Sequence, residues 1–273
     1  MNLFAVLLAL AALLYAVSCF FSFRYYRNLD ESSDRLAIQW LSFAFGLQGL
    51  SLAGEWAAHG YAPLDSLEGI LTAFSFSLGA ALLAGRLKMP LPVLTSLFTP
   101  FIFFVAFLGF LTGLKYVPLM DSRLMTPGMA SHIFLTFLGF SHFTVGFGVG
   151  VAYWIQEGQL KHHRFKNWSY RLPALEDLDR LTVFYIGMGF LFWFGGLGLG
   201  TVQAFEVWNR LPIGDPKIVG SFLVLMIYAC FFLLRWAFKM RGRKSMVLVM
   251  VGYVLALFTF VGVRAFLTTQ HVF

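Results

Sequence analysis

Eight stretches of this chain are almost unbroken runs of apolar residues, at about 2–23, 36–58, 66–85, 92–114, 129–155, 181–206, 217–238 and 245–267. A helix rising 1.5 Å per residue needs ~20 such residues to cross ~30 Å of hydrocarbon. The apolar residues follow one another instead of alternating with polar ones, so the pattern of a transmembrane β-barrel is absent. The polar connections are too short to hold a soluble domain, and no linker, low-complexity run or internal repeat stands out. The pattern predicts an all-α polytopic membrane protein with eight transmembrane helices, a single domain over residues 1–273.

Composition agrees: 59% of the residues are hydrophobic and 12% charged, where soluble domains carry about 25% charged residues. The first apolar run has only Met1-Asn2 before it, and Arg24 and Arg27 follow it. A signal peptide places its basic region first, so this run reads as a true first helix.

The excess of positive charge is a topology signal. Fifteen of the twenty Lys and Arg lie after helices 1, 3, 5 and 7, from Arg24, Arg27 and Arg35 to Arg235, Lys239, Arg241, Arg243 and Lys244. The other five are Lys115, Arg123, Arg210, Lys217 and Arg264. By the positive-inside rule both termini lie outside, as expected for a multi-pass protein of a bacterial cytoplasmic membrane. These cations border helices and face the lipid bilayer, so the basic balance does not imply a nucleic-acid partner. Cys19 and Cys230 form no CxxC or CxxCH motif, which excludes covalent haem attachment by such a motif of this chain.

The candidate chemistry rests on two histidines. His132 opens the fifth apolar run after Thr126-Pro127-Gly128, and His271 is the third residue from the end. Counting crossings puts both at the outer face. Two imidazoles there are a possible axial ligand pair for haem. A lone histidine near a helix end is more often a hydrogen-bonded interface residue, so the pair carries the weight. Zinc fits less well, because no third or fourth ligand clusters nearby at the usual spacing. Arg264, seven residues before His271, is the first candidate for a haem propionate, and snorkelling to the headgroups is its other reading. His142, ten residues beyond His132, falls roughly 15 Å deeper and reads as structural. His59 reads as a loop residue, and His162 and His163 belong to a basic loop placed at 156–180. The glycines of helix 6, Gly187 to Gly200, suit close helix packing and would also leave room beside a flat ligand. No hydrolase, kinase or dinucleotide motif is present, and no catalytic residue is expected.

Four segments resemble a known family. Asp215-Pro216-Lys217-Ile218-Val219-Gly220-Ser221-Phe222, followed by Tyr228 and Arg235, resembles the "DPK…GSF…Y…R" stretch of bacterial HemX proteins. Ser131-His132-Ile133 with Gly139-Phe140-Ser141 is similar to their "HI…LSYG" segment. Pro63 with Leu67-Glu68-Gly69 resembles "FP…LFEG", and Gln270-His271-Val272-Phe273 resembles "QFHWF". HemX proteins are eight-helix relatives of the CcsA and CcmC cytochrome c assembly proteins. The resemblance implies a haem-handling protein that binds or moves haem b non-covalently at the outer face and is linked to haem biosynthesis. It also implies an alternative: a cofactor-free regulator of glutamyl-tRNA reductase acting through cytoplasmic loops, or an accessory factor in c-type cytochrome assembly. Of the wider family's outer-loop motif WGxxWxWD, the chain keeps Trp208 and Asp215, which the resemblance makes cofactor-binding candidates. Asn209, Pro212 and Gly214 replace other members of that motif. Phe231-Phe232-Leu233-Leu234 stands where the CcsA relatives carry an inner histidine.

Overall fold

The computed structural model describes residues 3–115, 119, 125–162, 172–209 and 214–262. Eight α-helices follow in order: α1 Leu3–Asn28, α2 Glu31–His59, α3 Leu67–Lys88, α4 Pro92–Gly113, α5 Pro127–His162, α6 Leu175–Trp208, α7 Pro216–Ala237 and α8 Arg243–Leu257, which runs into a π-helical turn, Phe258–Gly262. All eight are long and apolar enough to cross a membrane, and no strand occurs among the described residues. The expected helix count holds.

The helix ends differ from the hydropathy limits. α2 begins five residues before the apolar run, because the Asp30 carboxylate accepts hydrogen bonds from the Ser33 amide (3.2 Å) and hydroxyl (2.6 Å) and so caps the helix. These bonds, the Ser33 hydroxyl first, hold the Asp30 carboxyl below the usual carboxylate range. The acidic residues Glu176 and Asp177 lie in the first turn of α6, where they face the positive end of the helix dipole. α5 continues to His162, through the first seven residues of what read as a loop. Polar residues end an apolar run without ending a helix, since the backbone hydrogen bonds continue into the headgroup region.

The chain forms two compact units, Met1–Leu138 and Gly139–Phe273, with the boundary inside α5. In the first, α1 packs on α2 and α4, and α3 on α2 and α4. Its centre holds a polar chain: the Tyr15 hydroxyl donates to Gln48 Oε1 (2.8 Å), and Gln48 Nε2 donates to the Thr72 carbonyl (3.1 Å) and to Ser75 Oγ (2.6 Å). All three side chains are fully buried, so mutual satisfaction is what makes them tolerable in an apolar interior. At the end carrying the basic loops, Arg86 on α3 donates to Asp34 on α2 at 2.6 Å.

The second unit is built on aromatic packing. The Phe143 ring stacks on Tyr228 at 4.3 Å and Phe147 on Tyr253 at 4.4 Å. Gly139 on α5 and Gly189 on α6 bring the two backbones together: a Cβ on Gly139 would lie 2.9 Å from the Trp193 nitrogen. Packing, one of the two readings of the glycine-rich segment, accounts for Gly189. At the basic end, Arg235 on α7 grips Asp179 on α6 with both terminal nitrogens.

Candidate functional site

His132 is the sixth residue of α5, one turn inside the helix, and belongs to the first unit. Thr126 prepares this start: its hydroxyl accepts the Met129 amide at 3.2 Å and its carbonyl the Ala130 amide at 2.9 Å. Ile133 and Phe137 turn inward and are buried, with Phe134 and Phe137 set against Phe76 and Phe74 of α3. That packing fixes the helical phase and leaves the His132 imidazole half-buried on a neighbouring face. The His132 carbonyl accepts the Thr136 hydroxyl at 2.8 Å.

The same end of the first unit carries His59, whose Nδ1 lies 3.0 Å from the Glu55 carbonyl, and the carboxylate of Glu68, set against Gly113 of α4. His59 is exposed, in keeping with a surface role. Among the described residues no three His, Cys, Asp or Glu converge into a metal-holding group.

In the second unit Trp208 ends α6, and Asn209 follows in the left-handed conformation (φ 50°) with its amide on the Phe205 carbonyl at 2.8 Å. Asp215 is buried, and its carboxylate accepts the Lys217 amide at 2.9 Å as the cap of α7, with Pro216 at the first helical position. His142 is buried, with ring centroids 5.2 Å from Phe192 and 6.1 Å from Tyr185. His271 and Arg264, with Arg123 and Arg210, lie outside the described residues, as does the Trp208 side chain.

Much of the recognisable sequence is packing chemistry. Gly220 faces Thr259 of the π-helical turn, the Ser221 carbonyl accepts the Trp193 indole N–H at 3.2 Å, Tyr228 is buried against Gly252, and Arg235 holds Asp179. In the first unit, a side chain at position 69 would collide with the Pro63 carbonyl, which explains glycine after Leu67-Glu68. Sequence reasoning missed the partners Asp34–Arg86 and Asp179–Arg235. The only advance signal was an aspartate near the start of each of two helices and an arginine in the last turn of the helix that follows.

These features define a class: a multi-pass helical membrane protein whose ionic contacts gather at one end of each unit and whose described candidate ligand, His132, opens a helix. The chain belongs to the cytochrome c assembly protein family, whose model matches residues 1–271. The match covers the whole first unit and all but the last two residues of the second. Its relatives include the cytochrome c biogenesis protein CcsA of Cuscuta exaltata, 26% identical over 262 residues, which are 87% of this chain and 83% of that protein. Protein HemX of Brevibacillus brevis is 24% identical over 262 residues, 93% of each chain. Among solved structures, the cytochrome c heme lyase CcmF superposes on the whole chain with a TM-score of 0.60 at 17% identity, over 48% of its own length, so the chain shares its fold and spans about half of it. This is a family of cytochrome c assembly proteins, and the eight long apolar helices mark this chain as a multi-pass membrane protein.

Proposed function

We propose that this protein is a HemX-type haem-handling protein that binds haem b non-covalently at the membrane face opposite its basic loops, with His132 and His271 as the two axial ligands. The observation that carries the reading is His132 itself. It is a partly exposed imidazole at a fixed position one turn into α5, in a chain whose family handles haem. A neutral imidazole supplies a nitrogen lone pair to iron. Arg264 would take a propionate and Trp208 would border the macrocycle. Asp215 fits a direct contact poorly, because its carboxylate caps α7 and would repel a propionate. Its contribution would be to fix the start of α7. Bound haem supplies a redox-active iron; this chain's own part is to hold, orient and release it, without covalent chemistry. Both units would act together as one membrane domain in a bacterial cytoplasmic membrane, termini outside. An absorption spectrum of protein purified after expression with ample haem tests the reading: a six-coordinate low-spin haem signal is expected, and a colourless, correctly folded protein would overturn it.

A second reading is favoured by one observation. Lys239, Arg241, Arg243 and Lys244 form an exposed cationic run from the loop after α7 into the first turn of α8, with the Arg243 guanidinium 5.1 Å from the Trp154 ring centre. Such a surface suits an anionic partner, and glutamyl-tRNA reductase is the candidate. Reversing the charge of Arg241 and Lys244 should then raise reductase levels while leaving the haem spectrum intact. An unchanged reductase level in the inserted variant would remove this patch from consideration.

A further inference from the structure

Two segments far apart in the chain share a spelling. Glu31-Ser32-Ser33-Asp34-Arg35-Leu36 opens α2, and Glu176-Asp177-Leu178-Asp179-Arg180-Leu181 opens α6 after one residue. In each, the arginine turns back to the glutamate one turn earlier, Arg35 to Glu31 at 3.2 Å and Arg180 to Glu176 at 2.6 Å. In each, the aspartate pairs instead with an arginine on the following helix, Asp34 with Arg86 and Asp179 with Arg235. α3 and α7 are both 22 residues long, and each arginine is the third residue from its helix's end.

Acidic first turns and basic last turns suit any helix dipole, so charge alone does not establish kinship. A second, uncharged contact repeats at the same register. Fourteen residues beyond the aspartate, Gln48 and Trp193 each send a side-chain N–H to a backbone carbonyl of the next helix. The acceptors are Thr72 at 3.1 Å and Ser221 at 3.2 Å, each the sixth residue of its helix. The buried stripe agrees as well. On α2 it comprises Ser33, Ala37, Leu41, Ala44, Gln48 and Ser51. The same offsets from Asp179 give Leu178, Thr182, Ile186, Gly189, Trp193 and Gly196, all buried.

We infer that α2–α3 and α6–α7 are two copies of one antiparallel helix pair, and that the Asp–Arg bond is the common fastening of that pair in both copies. The repeat is hidden in the sequence because the partners are 52 residues apart in one copy and 56 in the other. The copies have diverged at the fastening. Arg235 also reaches Ser245 of α8 at 3.3 Å, whereas Arg86 Nη1 and Asp34 Oδ1 are buried without a protein partner, a polar setting suited to a bound water.

Equivalent fastenings should respond equivalently. In the full chain with Cys19→Ala and Cys230→Ala, Ala37→Cys and Thr182→Cys are corresponding reporters, both fully buried. Arg86→Gln should raise maleimide labelling at position 37, and Arg235→Gln at position 182, each by at least about tenfold, as loss of a buried partner implies. The exchanged pairs, Asp34→Arg with Arg86→Asp and Asp179→Arg with Arg235→Asp, keep each face's net charge and should return labelling to near the parent level. If single variants fail to accumulate, the exchanged pairs decide: accumulation with low labelling supports the inference. Failure of both exchanges to restore either property, or a response in one unit only, overturns it.

Discussion

Arg235 closes on Asp179 with both terminal nitrogens of its guanidinium, tying the end of α7 to the beginning of α6. The two side chains are only 14% and 15% exposed, so the bond is formed away from bulk water and is not screened as a surface pair would be. Removing one partner leaves the other charge poorly solvated. Asp179→Asn should therefore destabilise the second unit by about 3 kcal/mol, measured as a lower thermal midpoint in detergent. Glu176→Gln, which loses only an exposed pair, should cost no more than about 0.5 kcal/mol.

The proposed ligands make a spectroscopic prediction. His132→Ala and His271→Ala should each shift the haem spectrum from a six-coordinate low-spin form toward five-coordinate or aquo forms, because one strong-field nitrogen is lost. His59→Ala should leave it unchanged, since His59 is an exposed residue at the end of α2. Identical spectra in parent and His132→Ala protein would remove His132 from the ligand set.

Gly69 offers a test of the loop before α3. Its missing side chain is what lets the Pro63 carbonyl lie against the helix, and backbone yields less readily than a side-chain tip. Gly69→Ala should cost about 1–3 kcal/mol. Gly198→Ala, where a Cβ meets nothing within 4 Å, should be neutral or slightly stabilising. Equal thermal midpoints for the two variants would contradict the geometry.

Asp30 gives the pH dependence a sign. Its carboxyl is held low in the folded protein, chiefly by the Ser33 hydroxyl, so the folded state favours the ionised form more than the unfolded chain does. The cap's contribution is complete above the ordinary carboxylate range and fades as pH falls through the lowered value. Asp30→Asn keeps a capping oxygen that does not titrate. Acid titration of α2 opening, followed by amide exchange near Ser33, should be flatter in that variant than in the parent.

Orientation is checked at one residue. With the basic loops inside, a cysteine introduced at Arg243 should resist membrane-impermeant reagents in intact cells and react after permeabilisation. Reaction in intact cells would reverse the topology and place His132 on the cytoplasmic side.

The helix count was legible because apolar length is set by bilayer thickness, a constraint no local detail overrides. The ends of α2, α5 and α6 were not, because Asp30, the Glu176–Asp177 turn and the polar tail of α5 are set by capping and dipole effects that hydropathy does not register. Asp215 was legible as a cap from its place before Pro216. His132 was legible through the Thr126-Pro127-Gly128 start that fixes where α5 begins. The Asp–Arg fastenings were not, since pairing depends on which helices become neighbours.

The Tyr15–Gln48–Ser75 chain has a direction. Tyr15 gives its proton to the Gln48 oxygen, Gln48 gives two from its nitrogen, and Ser75 passes its own to the Thr72 carbonyl at 3.0 Å. Between helices every proton runs from α1 through α2 to α3, so the amide of Gln48 has one permitted orientation. A glutamate there would fill the same space with the wrong polarity, confronting the Thr72 carbonyl with lone pairs in place of hydrogens. Shape alone does not specify this core; the sense of each proton does, and an isosteric replacement that ignores it would separate α1 from α3 without changing a single van der Waals volume by more than an atom's worth.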